Sequence, residues 1–430
     1  MLTPAVAADQ LWLGQSAALI AAVRVEAATN SAEGKIAQMK IVILSSLSWS
    51  LVNFRGALIR QMVAAGHEVI ACAPDGESGV VDTLKEWGVT FRVTPMSRAG
   101  TDVFADVRTL WNYWLLLRHE RPDVLVAYTQ KPIIYGGIAA RMAGIASFFP
   151  IMSGLGYVFS SEAEGRKSLR RLVSRLYRAG VRKARCVFVF NGDDRREMLD
   201  NGIIDPGQMV QQVPGSGVDT SHYMEQPLPD GPLTFLMMGR LMRDKGVFEF
   251  VEAARQLRRS VPESRFLLLG RPETENPTGI PADALAAWEA EGLIGLLPET
   301  RDVRPVLGRA HVFVLPSYYR EGLPRTILEA LSSGRPVITT DMPGCREPII
   351  PGVNGLLVPP RDPDALARAM ISFAEQPGRI AAMGKAARDT AVRTYDVDLV
   401  NSMLLQTMGL VTVHPDGVRG DAAALTAAAA

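Results

Sequence analysis

Short apolar runs alternate along the chain with segments whose apolar residues recur every three to four positions. The runs are apolar throughout rather than every second residue, as strands covered on both faces of a parallel sheet must be. The periodic segments between them read as crossover helices. MKIVILSS, opening at Met39, is the first such run. The pattern predicts strands at 39–45, 67–73, 89–94, 123–127, 149–152, 186–190 and 209–213, and again at 233–239, 265–270, 293–297, 311–315, 336–340 and 355–358. Helices are expected between them, at 54–65, 78–87, 103–119, 134–143, 166–184 and 193–200 in the first half. In the second they fall at 246–260, 282–291, 302–308, 323–333, 363–375 and 378–393, with a last one near 396–410.

Two sets of βα units imply two doubly wound α/β domains, and 430 residues with 47% hydrophobic content suit two cores better than one. The expected organisation is an N-terminal extension over 1–38, a first Rossmann-like domain over 39–215, a linker over 216–232 where Gly, Pro and Ser cluster, and a second Rossmann-like domain over 233–395. The helix over 396–410 is expected to return to the first domain, and a low-complexity tail over 411–430 to be disordered. Ligands of open parallel sheets bind beyond the carboxyl ends of the strands, so two such domains would face one another across a cleft. The loop after the first strand, SSLSWSLVNFRG, lacks the GxGxxG fingerprint, which argues against a dinucleotide cofactor.

A net charge of +1 argues against bulk-charge binding of nucleic acid. Cys72, Cys186 and Cys345 are scattered, with no CxxC, and the five histidines show no zinc spacing. Neither a metal nor a cofactor is expected. The apolar stretch 11–23 follows no basic cluster and makes a poor secretory signal, so the chain is expected in the cytoplasm.

The densest chemistry lies in LPSYYREGLPRTILEALSSGRPVITTDMPGCRE, 315–347. Glu321 falls in a loop at a strand's carboxyl end, and Glu329 about two turns into the following helix. Two carboxylates so placed can grip different hydroxyls of one extended ligand, such as a ribose diol. The helix start near Arg325 and Thr326 offers N–H groups and a positive dipole end to phosphate. In MMGRLMRDKGVFEFVEA, 237–253, Arg240 and Lys245 follow a strand, and Gly246 opens a helix. A guanidinium fork and an ammonium there could hold a diphosphate and stabilise it as it leaves; the same residues also suit an ordinary βα loop.

The pairing of GRLxxDKG with E-x₇-E resembles the retaining family-4 glycosyltransferases of GT-B fold, over about residues 39–410. The resemblance implies that Arg240 and Lys245 bind the diphosphate of a nucleotide-sugar donor, with uridine the usual base, and that Glu329 binds the ribose. Glu321 would meet the transferred sugar as the catalytically important residue, and backbone amides near Arg325 and Thr326 would meet phosphate. The loop 297–303 would lie near the base. It implies transfer with retention of anomeric configuration. Pro324 stands where a Gly is common, and PIMSGLGYVF has Ser153 where many relatives carry a His.

The stretches 44–59, 97–101, 128–141 and 153–159 resemble a subgroup that extends polyprenyl-diphosphate-linked sugars in surface polysaccharide or glycan assembly. Asn53, Arg55, Arg98, Lys131 and Tyr135 are the acceptor-side candidates, and each could equally be structural. Residues 166–185, RKSLRRLVSRLYRAGVRKAR, hold nine Lys or Arg and no acid, with an apolar stripe of Leu169, Leu172, Val173, Leu176 and Tyr177. That pattern suits an anionic membrane surface, on the inner face of the cytoplasmic membrane, or a helix packed on the sheet with a solvated basic face. Asp396 is read as a helix N-cap rather than a metal ligand, and His311, in the buried-looking run AHVFVLP, as structural rather than catalytic. A nucleotide-sugar epimerase of the same fold and a non-catalytic nucleotide-sugar-binding protein are the competing functions.

Overall fold

The computed structural model describes residues 37–97, 102–159, 167–273, 276 and 278–411. The extension over 1–38, but for its last two residues, Arg98, and the tail beyond 411 lie outside the described residues.

Seven strands form the first sheet: β1 Lys40–Leu44, β2 Glu68–Ala73, β3 Thr90–Val93, β4 Val124–Tyr128, β5 Ser147–Met152, β6 Val187–Val189 and β7 Val210–Gln212. Their order is β3-β2-β1-β4-β5-β6-β7. β1 pairs in parallel with both β2 and β4, so the winding reverses between β1 and β4. The helices are α1 Ser48–Ala64, α2 Ser78–Glu86, α3 Val103–Glu120, α4 Gln130–Ala143, α5 Lys167–Val181 and α6 Gly192–Asp200. The second sheet comprises β8 Thr234–Met238, β9 Arg265–Leu269, β10 Gly295–Leu297, β11 Val312–Leu315, β12 Val337–Thr340 and β13 Gly355–Val358. Its order, β10-β9-β8-β11-β12-β13, repeats the same winding with the reversal between β8 and β11. Its helices are α7 Val247–Ser260, α8 Ala282–Ala290, α9 Arg304–Leu307, α10 Arg325–Ser332, α11 Pro363–Glu375 and α12 Gly378–Thr390, followed by α13 Val397–Met408. The doubly wound, two-sheet architecture is as the apolar runs predict. Central strands such as KIVIL and VLVAY are buried nearly end to end because helices cover both faces.

The chain divides into two compact units that do not follow the sheets. The first holds residues up to Ile151, Lys183–Val187 and those from Asn401; the second holds Met152–Arg182 and Phe188–Val400. The stretch 216–232, expected as a linker, is packed into the second unit. Val218 and Tyr223 are buried in its core, and the fully buried Arg335 donates to the carbonyls of Gln226 and Pro227 at 2.9 and 2.7 Å. In the first unit His67 Nε2 hydrogen-bonds the carbonyl of Leu410 at 2.8 Å and so ties down the segment that follows α13.

α1 starts at Ser48, six residues before the apolar period suggests. Its first turn is capped from a distance: Asp75, after β2, accepts from the Ser48 N–H at 3.0 Å and from its hydroxyl at 2.6 Å. α5 buries Val173 and Tyr177, half-buries Leu169 and Leu176, and leaves Leu172 exposed. Arg178 bonds Asp205 at 2.8 Å, and Arg170 pairs with Glu197. The stripe of this basic helix is therefore mostly consumed inside the protein. The three cysteines are buried free thiols.

Candidate functional site

In the second unit the reversal between β8 and β11 leaves a crevice at the strands' carboxyl ends. The two loops that border it carry the motif residues. After β8 the chain reaches Gly239, runs through Arg240 and makes a single 3-10 turn over Arg243–Lys245 before Gly246 starts α7. After β11 it runs from Pro316 to Pro324 and enters α10. The backbone stitches these loops together. The Asp244 carbonyl accepts from the amides of Tyr318 and Tyr319 at 2.9 and 3.0 Å and from the Ser317 hydroxyl at 3.3 Å.

That stitching brings Lys245 onto Glu321, and the two side chains form an ion pair, each largely shielded from water. The Ser317 hydroxyl donates to the same Glu321 Oε1 at 3.0 Å, and the Lys245 ammonium lies 5.7 Å from the centre of the Tyr319 ring. Ser317 is itself fixed, because Thr340 at the end of β12 donates to its carbonyl. About one turn along α10, Glu329 pairs with Arg325 at 3.2 Å and hydrogen-bonds the Tyr223 phenol. Burial pushes the Glu329 carboxyl above its ordinary pKa, while Arg325 and the phenol pull it back. Thr326 occupies the first turn of α10 beside Arg325. Arg240 stands exposed and, among the described residues, forms no ion pair. Lys245 and Glu321 are thus brought together from the two loops, and Arg325 and Glu329 pair on α10 of the same unit.

Sequence reasoning did not single out Ser317, Tyr223 or the residue next to Glu321. Arg320 donates to Asp194 at 3.2 Å, to Glu197 at 2.9 Å and to the Phe159 carbonyl at 3.3 Å. Asp194 is fully buried. Burial raises its pKa and Arg320 opposes that rise, so the pair depends on both members. Asn191 donates to the Gly322 carbonyl at 3.0 Å, and a Cβ on Gly322 would lie 2.2 Å from the Ser153 carbonyl oxygen. The carboxylate loop is therefore gripped on both sides of Glu321. These partners lie over a hundred residues upstream, and no local pattern marks them.

Glu347 closes the same region from the next loop, where its Oε2 accepts from the Gly344 amide at 2.7 Å. Burial lifts its carboxyl to about 7, with Asp193 adding to the rise and Arg346 opposing it. A raised acid pKa means the folded state holds the proton more tightly than the unfolded one. Its contribution to stability is then complete below about pH 4.5 and lost as pH rises through 7. Glu347→Gln, which keeps the acceptor for Gly344, is expected to remove that fall and to stabilise the protein above pH 7 by roughly 2–3 kcal/mol. Unfolding midpoints measured from pH 4 to 8 check it; parallel curves for variant and parent refute it.

In the first unit, Lys131 pairs with Asp106 at 2.7 Å and Tyr135 hydrogen-bonds the same carboxylate, so these two candidates meet on one acid of α3. Asn53 is exposed in α1, with its amide on the Trp49 carbonyl at 2.9 Å. Trp49 and Phe54 stack edge to face beside it, with centroids 5.3 Å apart. Arg55 is an interior residue, its guanidinium 5.2 Å from the centre of the Tyr128 ring. Away from the site, His311 Nδ1 accepts from the Thr234 amide at 3.1 Å, and Asp396 accepts from the Asp398 amide at 2.9 Å at the head of α13. Among the described residues no cluster of His, Cys, Asp and Glu could hold a metal ion, and no helix is long and apolar enough to cross a membrane.

Comparison with known proteins adds independent findings. Residues 220–390 match the model of the glycosyl transferases group 1, and residues 53–214 that of the glycosyl transferase 4-like domain. The chain is similar to the N,N'-diacetylbacillosaminyl-diphospho-undecaprenol alpha-1,3-N-acetylgalactosaminyltransferase of Campylobacter jejuni, at 25% identity over 86% of this chain and 98% of that protein. It is also similar to an Escherichia coli UDP-Gal:alpha-D-GlcNAc-diphosphoundecaprenol alpha-1,3-galactosyltransferase, at 25% identity over 69% and 77%. Among solved structures, Anabaena HepE in complex with UDP-glucose superposes with a TM-score of 0.69 at 18% identity, covering 86% of this chain and 99% of that one. A glycosyltransferase from Rickettsia africae gives 0.68 at 18%, covering 87% and 98%.

Proposed function

The chain belongs to the group 1 glycosyltransferases, with a 4-like N-terminal domain and the GT-B fold, and so transfers sugar from a nucleotide sugar; from this premise we propose that it is a retaining, metal-independent enzyme moving a hexose or N-acetylhexosamine from a UDP-sugar to a polyprenyl-diphosphate-linked saccharide. The observation that carries the reading is the Lys245–Glu321 pair, fixed by Ser317 at the switch point of the second sheet, with Glu329 held on the following helix by Arg325 and Tyr223. In this reading Lys245 and Arg240 neutralise the departing diphosphate. The amides at Arg325 and Thr326 add hydrogen bonds to it, and Glu329 takes the ribose hydroxyls. Glu321 contacts the transferred sugar. With cations and helix amides to accept the diphosphate charge, no metal ion is required. The acceptor side draws on Asn53, Lys131 and Tyr135, with Arg55 supporting the β4 loop from the interior; the two relatives named for diphospho-undecaprenol sugars support the lipid-linked acceptor. The outward cations of α5, Lys167, Arg171 and Arg175, would draw the enzyme to an anionic inner leaflet.

The test supplies labelled UDP-sugars with an undecaprenyl-diphosphate-linked saccharide, with and without EDTA, and reads the product anomer by NMR. Label in the lipid phase, α-linked and insensitive to EDTA, is expected. A β-linked product overturns retention, and loss with EDTA overturns metal independence. Label appearing only as free or C2-epimerised sugar overturns the transfer to lipid.

Tyr223→Phe removes one hydrogen bond from Glu329 while keeping the ring. Because a ribose contact is made equally before and during transfer, the donor KM is expected to rise about 5–10-fold with kcat nearly unchanged. An unaltered KM in steady-state kinetics would remove Glu329 from the ribose.

A further inference from the structure

α3 is buried along one face only, through Thr109, Tyr113, Leu117 and Glu120. Its outer face is apolar. Phe104 is 88% exposed, Val107 59%, Trp111 54% and Leu115 47%. These residues follow one another at three- and four-residue steps, so they form a single stripe along the helix. The helix is eighteen residues long, and at about 1.5 Å per residue the stripe from Phe104 to Leu115 runs for about 17 Å along it. Trp111 stacks on Trp114 with centroids 4.6 Å apart, and the Arg118 guanidinium lies 5.8 Å from the Trp114 ring centre.

The charges of α3 are sorted between its faces. Both acids are engaged with the protein: Asp106 pairs with Lys131, and the buried Glu120 with Lys40 and Arg92. Arg108, Arg118 and His119 are exposed beside the stripe. A face of aromatic and aliphatic side chains flanked only by cationic or neutral groups suits an anionic bilayer surface. Indoles settle at the headgroup boundary and arginines meet lipid phosphates. We propose that α3 is an interfacial membrane anchor, lying in the plane of an anionic phospholipid leaflet with Phe104, Val107, Trp111 and Leu115 inserted among the acyl chains. This differs from α5, whose apolar stripe is largely consumed inside the protein. α3 supplies the insertion, where α5 offers only charge.

The inference stands on the helix itself and not on the identity of the acceptor, and one experiment keeps the two apart. Full-length protein is floated with vesicles of phosphatidylcholine alone or mixed with phosphatidylglycerol, and its tryptophan emission is followed with brominated lipid as quencher. The parent is expected to float with the anionic vesicles and to be quenched. Phe104→Glu/Trp111→Glu, two exposed positions that cost the fold little, is expected to lower the bound fraction at least tenfold. Arg108→Glu/Arg118→Glu is expected to weaken the preference for anionic lipid, with the cations of α5 left in place. All variants should transfer sugar to a short-chain, detergent-soluble acceptor at the parent rate. Loss of that transfer in the parent too would sink the acceptor reading and leave the anchor standing. Undiminished flotation of Phe104→Glu/Trp111→Glu overturns the anchor, as does failure of the parent to bind anionic vesicles. A parent that sediments as a dimer, with this variant a monomer, shows that a second copy covers the stripe instead.

Discussion

Glu321→Gln is expected to lower kcat about 100- to 1,000-fold while leaving the fold intact, the range seen when one charged or hydrogen-bonding group acting on the transition state is lost. Gln has the shape of Glu and can still accept from Ser317, but it cannot balance the Lys245 ammonium beside it. Lys245→Ala makes the complementary cut. It removes the cation that would face the departing diphosphate and leaves a shielded carboxylate with the Ser317 hydroxyl as its partner among the described residues. Each single change should therefore cost about as much as the other, and the double variant little more than either, because the two side chains act as one unit. Rates for the parent, both singles and the double, taken well below the unfolding temperature of each, close the cycle. If Glu321→Gln stays within threefold of the parent, the carboxylate has no part in transfer. If the two losses simply multiply, the pair does not work as a unit.

Gly246→Ala is expected to cost about 4 kcal/mol of stability and most of the activity, within the range of severe backbone and packing defects. Two effects add. Gly246 sits at φ +81°, in the left-handed region where a side chain costs about 1–2 kcal/mol. Its Cβ would also lie 2.2 Å from the Pro316 carbonyl oxygen, so the β8 and β11 loops would have to part. Parting them breaks the hydrogen bonds to the Asp244 carbonyl and draws Lys245 off Glu321. Gly66→Ala is the control. At φ +88° it has the same backbone strain with nothing within 4 Å of the new Cβ, so only the smaller cost is expected. Denaturant unfolding of both variants separates clash from strain, and equal losses would show that the close approach of the loops does not matter.

The candidate site was partly legible. Lys245 and Glu321 are 76 positions apart in the chain, yet each lies just past the end of an apolar run. Strand ends on a parallel sheet share one edge, so reading the runs was enough to place both on that edge. Tyr223 was hidden because it lies in a stretch rich in turn-forming residues that reads as a linker. Its phenol lies against Glu329 where Arg388 binds the carbonyls of Thr220, Tyr223 and Ser332 at 3.1, 2.8 and 2.8 Å, and the Ser332 hydroxyl donates to the Tyr223 carbonyl at 2.6 Å, fastening that stretch to the end of α10. α3 was legible as a helix but not in its exposed face. Its apolar residues lie on both faces, so their spacing gave no sign of which stripe the protein would cover.

By itself the amino-acid order determined the strands, the crossover helices, the two-sheet winding and the loops on which the chemistry falls. Those follow from local periodicity and from the need of each buried run to be covered on both sides. Only the tertiary structure decided which distant group completes each local one: Asp75 capping α1, Asp194 and Glu197 holding Arg320, and Ser317 sharing Glu321 with Lys245. The reason is physical. A hydrophobic pattern states that a surface must be hidden but not what hides it, and an unpaired charge states that it needs a partner but not which one. Those choices are made by packing between segments far apart in the chain.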